Sequence, residues 1–102
     1  MGFRERPVKY REFEKLLKNL GFELKRQDGT SHRQWEHPRF KGERRLVTVS
    51  PHNEPFTRSL LKDMMRQMGM RKNEFFKCLE NERHAKSVGA QHSPEVVQPA
   101  GR

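Results

Sequence analysis

The side chains able to move a proton near neutral pH are five histidines, at positions 32, 37, 52, 84 and 92, and one cysteine, Cys78. Imidazole, with an unperturbed pKa of about 6.5, can act as base or acid at pH 7. His32 is set apart by its place: it follows the turn signal Asp28-Gly29-Thr30 and opens a strand-like run, Ser31 to His37. His37 precedes Pro38 and reads as the structural end of that strand. His52 lies in the following connection and is a candidate second proton-transfer group. His84 and His92 fall in a polar C-terminal stretch and carry no expectation. Cys78 reads as a half-buried helix residue, and a lone cysteine excludes an internal disulfide or a cysteine-based zinc cage. Carboxylates do not cluster in a metal-binding pattern, so no metal or other cofactor is expected.

Composition narrows the partner. Of 102 residues, 31% are hydrophobic and 34% charged, which implies one small domain with a thin core and an ionic surface. The net charge of +9 points to a polyanion, and nucleic acid is the commonest one. No run approaches the roughly 20 apolar residues of a membrane span. The charged start lacks the apolar segment of a signal peptide, so the expected setting is the cytoplasm, with no membrane partner.

These residues need elements to hold them. Tyr10, Phe13, Leu16, Leu17 and Leu20 recur at helical spacing, and Gly21 supplies a left-handed stop. Phe22 to Gln27 alternates as a strand, Ser31 to His37 returns antiparallel, and Pro38 is expected to end its ladder. Arg44 to Ser50 forms a third strand. A second helix carries Leu60, Leu61, Met64, Met65 and Met68 and closes at Gly69, and a short third runs from about Lys72 to Asn81. The expected fold is α+β, an α-β-β-β-α order like that of double-stranded RNA-binding domains. Its three-stranded antiparallel sheet has helices on one face, and a short C-terminal helix follows. Residues 1–8 are expected to be a flexible N-terminus, 9–82 the domain, and 83–102 a disordered tail.

Alternation assigns faces. With Trp35 against the helices, Arg33 and His37 share its side, while His32, Gln34 and Glu36 point to the open face. Phe22, Leu24, Val47 and Val49 turn inward, and Lys25, Gln27, Thr48 and Ser50 outward. Lys25, Arg26, Arg33, Lys41, Arg44 and Arg45 concentrate around the strands and are the candidate RNA-binding cations. On RNA, a histidine base would deprotonate a ribose 2′-OH, which attacks the adjacent phosphate and expels the 5′-oxygen.

Lys15-Leu16-Leu17, Gly21-Phe22, Gly29-Thr30-Ser31-His32, His37-Pro38 and Leu46-Val47-Thr48-Val49, in that order and spacing, resemble the HicA toxins, small ribonucleases of HicA–HicB toxin–antitoxin modules. The similarity spans about residues 10 to 70. It implies a double-stranded-RNA-binding-domain-like fold, cleavage of mRNA, and neutralisation by a HicB-type antitoxin; the free toxin is expected to be a monomer. It also implies that His32 is catalytic, that Gly29 serves the turn, and that Ser31 orients or binds. The stretch Pro51 to Thr57 keeps a histidine but lacks the glycines that family members often carry there. Two other readings stay open: a non-catalytic double-stranded RNA binder, and a DNA-binding helix-turn-helix over Leu60 to Leu79 with Gly69 at the turn.

Overall fold

The computed structural model describes residues 6–27 and 32–92. Helix α1 (Tyr10–Asn19) leads into strands β1 (Glu23–Gln27), β2 (Arg33–Phe40) and β3 (Glu43–Val49). A 3-10 turn (Pro51–Asn53) then precedes helices α2 (Arg58–Met68), α3 (Lys72–Glu80) and α4 (Glu82–Gln91). The strands form one antiparallel sheet in the order β1-β2-β3. The expected α+β class, the α-β-β-β-α order and the short helix after it (α3) are therefore present, with one further helix, α4.

Helix α1 forms where its apolar stripe is, burying Phe13, Leu16 and Leu17. Its N-terminus is held by two carboxylates: Lys9 N–H donates to Glu12 Oε1 (3.1 Å) and Tyr10 N–H to Glu54 Oε1 (2.6 Å). Anionic groups are favoured there because the first amides lack helical acceptors. α1 and α2 end alike. Gly21 (φ +96°) and Gly69 (φ +73°) take the left-handed backbone, donating to Lys18 O and Arg66 O, while Phe22 and Met70 reach back to Leu17 O and Met65 O. This is the Schellman arrangement, and it turns Phe22 and Met70 into the core.

Trp35, Val47 and Val49 are buried on the helix side of the sheet, as the alternation predicts. Leu24 is opposite Trp35 in register yet is 39% exposed, because β1 is an edge strand with no neighbour to cover its outer flank. An irregularity between Leu24 and Arg26 shifts the count: Arg26 pairs with Gln34 and Gln27 with Arg33. The alternation assigned Gln27 to the open face; its side chain lies outside the described ones.

Pro38 does not end β2. The strand continues to Phe40, with the pairing broken between His37↔Arg45 and Phe40↔Glu43. A proline lacks the ladder N–H, and a bulge is where a central strand tolerates it. The strand then reverses over Lys41 (φ 56°) and Gly42 (φ 85°), the two positive-φ residues of a two-residue hairpin turn.

Residues 6–8 and 83–92, at the two ends of the described chain, are held in the fold. Val8, assigned to a flexible N-terminus, is fully buried and bridges to Phe56, and Arg6 pairs with Glu12 and Glu80. Residues 83–91, assigned to a disordered tail, belong to α4 (Glu82–Gln91). Its stripe is small, Ala85, Val88 and Gly89, and so gives a weak hydrophobic signal, but small residues let helices approach closely. A Cβ on Gly89 would lie 2.3 Å from Asn19 O, so α4 packs backbone to backbone on the end of α1. Asn81 caps α4 by accepting from His84 N–H at 3.0 Å.

Candidate functional site

His32 is exposed and immediately precedes β2. Since Arg33 pairs with Val49, the antiparallel register carried one step further sets His32 beside Ser50, where β3 runs into the Pro51–Asn53 turn. His52, also exposed, is in that turn. The two histidines named as proton-transfer candidates thus share one end of the sheet. Gly29 and Ser31 lie outside the described residues.

The N-terminus of α1 is built into the same end. Arg33 Nη1 donates to the Tyr10 hydroxyl at 2.9 Å, and its guanidinium carbon is 5.1 Å from the centre of the Tyr10 ring. Tyr10 in turn donates to Glu14 Oε2 at 3.1 Å, and burial pushes its phenol pKa up, so it stays protonated. Arg33 is a half-buried, oriented cation next to His32, not a mobile surface charge. Tyr10 was legible only as part of an apolar stripe. Its i,i+4 spacing to Glu14 was the one available sign of a polar role.

The middle of the open face is organised by Glu36. Its carboxylate takes Arg44 Nε and lies 3.7 Å from Lys25 Nζ. Arg44, then Lys25, hold the Glu36 carboxyl below the usual range. Glu36 is four residues from His32 along β2, about 13 Å at ~3.3 Å per residue. Engaged by these cations, it belongs to the basic face and not to the His32 end. Thr48 is exposed opposite Gln34, and its N–H donates to Gln67 Oε1 of α2 (3.0 Å), which covers the β3 edge.

The six candidate cations do not form one surface. Lys25 and Arg44 flank Glu36 on the open face, and Arg33 turns to α1. Lys41 is at the hairpin tip, roughly 30 Å along the strand from His32, where it bonds Glu74 of α3 at 2.5 Å. Arg45 is mostly buried, donating to Phe40 O (3.0 Å) and Lys41 O (3.5 Å), with its guanidinium packed over Gly69. Arg26 is in β1. Lys25, Arg33 and Arg44 are therefore at or between the open face and the His32 end; the side chain of Arg26 lies outside the described ones.

His37 is in the core, wholly buried between Phe22 and Phe40, with ring centroids 5.3 Å from each. Its Nδ1 accepts from Arg39 N–H (3.0 Å), which puts the proton on Nε2, and Nε2 has no partner. Burial lowers its pKa. His92 also has a role that its place in a polar stretch concealed: its ring packs against Phe40, tilted by 58° with centroids 4.8 Å apart, and Nδ1 accepts from Lys41 N–H at 3.3 Å. In α3, Phe75, Phe76 and Cys78 are spent on packing, which is unlike the polar face of a DNA-reading helix.

A basic α+β domain, with the element order of double-stranded RNA-binding domains and an exposed histidine at one end of its sheet, is the class these features define. Within that class the assignment is specific: residues 10–70 match the family model described as the HicA toxin of bacterial toxin–antitoxin systems, and the chain belongs to that family. Its members are RNA-cleaving toxins, each paired with an antitoxin. No match was found among curated proteins or solved structures. Among the described residues no helix is long and apolar enough to cross a membrane.

Proposed function

We propose that the protein is a metal-independent endoribonuclease that cleaves mRNA and is neutralised by a HicB-type antitoxin, with His32 as its catalytic residue. The observation that carries this reading is an exposed imidazole at the end of β2 in a chain of the HicA toxin family, with the anchored Arg33 beside it. His32 takes the proton from a ribose 2′-OH. The 2′-oxygen bonds to the adjacent phosphorus as the bond to the 5′-oxygen breaks. A proton delivered to that oxygen, by His32 or by His52 from the neighbouring turn, completes the step. The products are a 2′,3′-cyclic phosphate and a 5′-hydroxyl. Ser31 orients the substrate, and Arg33 offsets charge that develops on the phosphoryl oxygens. Lys25 and Arg44 carry the RNA backbone across the open face, and Arg26 of β1 adds a further phosphate contact.

Acid–base chemistry through imidazole requires no metal ion, so cleavage is expected to persist in EDTA. The test compares wild type with His32→Ala on a structured mRNA in EDTA. The expected loss is about 10²–10⁴-fold, the usual range for one acid–base group. Equal cleavage by both proteins would remove His32 from the mechanism. No cleavage by either, with retained duplex binding, would leave a non-catalytic RNA-binding module. His52→Ala is expected to cost less activity than His32→Ala in the same assay.

A further inference from the structure

Tyr10, the first residue of α1, is held from three directions. Its backbone N–H donates to Glu54 Oε1 (2.6 Å), its ring meets Phe56 edge-on with centroids 6.5 Å apart, and its hydroxyl donates to Glu14 Oε2 (3.1 Å). Phe56 is itself buried and bridged to Val8, with Phe56 N–H donating to Val8 O (2.7 Å) and Val8 N–H to Phe56 O (3.3 Å). With its proton committed to Glu14, the Tyr10 oxygen offers its lone pairs to Arg33 Nη1, and its ring faces the guanidinium. A fixed phenol therefore fixes Arg33.

The chemistry of that partner is informative. Lys25, Lys41 and Arg44 each meet a carboxylate, which partly cancels their charge. Among the described residues, Arg33 meets instead a hydroxyl and a ring, both uncharged. A direct ion pair with Glu14 would serve a purely structural need; the interposed phenol orients the cation and leaves its charge for another anion. The guanidinium carries five N–H donors in a rigid fork, so holding Nη1 aims the others. Carried back one residue from β2, strand alternation points His32 to the face opposite Arg33. A group met by both side chains must then lie across the end of the sheet. We propose that Tyr10 is a positioning residue for RNA cleavage, holding Arg33 against the scissile phosphate at the sheet end, from the face opposite His32. The proposal rests on the reading of His32 as the catalytic residue. Arg33 touches the phosphate; Tyr10 acts only through Arg33.

The experiment is a double-mutant cycle on the purified full-length protein. The kcat and KM for RNA cleavage are measured on Tyr10→Phe, Arg33→Ala and the double variant, with His32→Ala as the inactive control. Tyr10→Phe keeps the ring and its packing on Phe56 and removes only the hydroxyl. It is expected to lower kcat about threefold to tenfold, the net scale of one hydrogen bond, with KM changed less than about twofold. In the Arg33→Ala background the same substitution should change kcat less than about twofold, because no guanidinium is left to position. Full kcat in Tyr10→Phe, measured well below its thermal midpoint, would overturn the proposal, and a lowered midpoint alone would make the hydroxyl merely structural. An equal loss in both backgrounds would also overturn it, as would a loss carried wholly by KM. Each of these outcomes is compatible with an inactive His32→Ala. Equal cleavage by His32→Ala and wild type, or none by wild type, would instead remove the cleavage reading and the positioning role with it.

Discussion

At the scale of single residues, the two buried titratable groups lead to opposite expectations. Cys78 is 2% exposed, and burial together with Glu74 pushes its thiol up to about 11. The thiolate is the reactive form, so alkylation at pH 8 is expected to be slow in the native protein and to become rapid only after unfolding. Rapid native labelling would contradict the packing of α3. His37 behaves in the other sense. Its folded pKa is lowered by burial, as is that of His92, whereas both titrate at about 6.5 when unfolded. Between the two values the unfolded chain binds more protons, so stability is full above about pH 6.5 and declines as pH falls below it. Denaturant midpoints measured from pH 7.5 to 5 should show that decline. His37→Asn, which retains an acceptor for Arg39 N–H but does not titrate, should flatten the curve, and adding His92→Asn should flatten it further. An unchanged slope in the double variant would assign the pH dependence to other groups.

At the scale of elements, α4 is the informative case, because two effects oppose each other at Gly89. Helix propensity favours alanine over glycine by ~1 kcal/mol. Against this, the added methyl would lie 2.3 Å from Asn19 O and 3.0 Å from the Leu20 backbone, and backbone cannot step aside as a flexible side chain can. Overpacking of this kind costs about 1–3 kcal/mol, so Gly89→Ala is expected to lower stability despite its better propensity. Hydrogen exchange should locate the loss in α4 and the C-terminal end of α1, with β2 and β3 little changed. A stabilised Gly89→Ala protein would mean that α4 does not pack on α1 as described. The β2–β3 hairpin shows the same dependence on context. Pro38 is excluded from an ordinary central strand, yet the bulge lets β2 run on until Phe40 fills the core and Lys41 reaches Glu74.

At the scale of the whole molecule, the net charge of +9 is distributed, and much of it is already answered by carboxylates. Arg6 pairs with Glu12 and Glu80, Lys15 and Lys86 with Glu82, and Lys41 with Glu74. RNA binding is nevertheless expected to weaken with salt, each phosphate contact adding about 0.7 to the log–log slope for a single strand. Glu36 is the sensitive position, because it holds Lys25 and Arg44 together and partly cancels them. Glu36→Gln should tighten RNA binding about threefold to tenfold at low salt, the modest effect expected of a charge at a solvated surface. Filter binding between about 50 and 300 mM KCl, across which the screening length shortens through ~10 Å, should show the gain shrinking as salt rises. Lys41→Ala, at the far end of the sheet and committed to Glu74, should leave RNA affinity almost unchanged.

Local order was legible in the sequence because its causes are local. The 3.6-residue stripe of α1, the glycine stops at Gly21 and Gly69, the strand alternation around Trp35 and the resemblance at Gly29-Thr30-Ser31-His32 all depend on neighbours within a few positions. They were enough for the α-β-β-β-α order, and they single out His32 as the residue to test. Contacts between distant segments were not legible. Nothing in the run Ala85 to Gly89 announces a buried helix, since its packing depends on the bare backbone of Asn19 and Leu20 more than on apolar mass. Nothing in the spacing of the cations told Arg33, which stacks on Tyr10, from Lys41, which is tied to α3, or Lys25, which stands on the open face. Each cation has the same chemistry in the sequence. Only the tertiary fold, by deciding which carboxylate, ring or carbonyl each one meets, separates charges that hold the domain together from charges that can meet RNA.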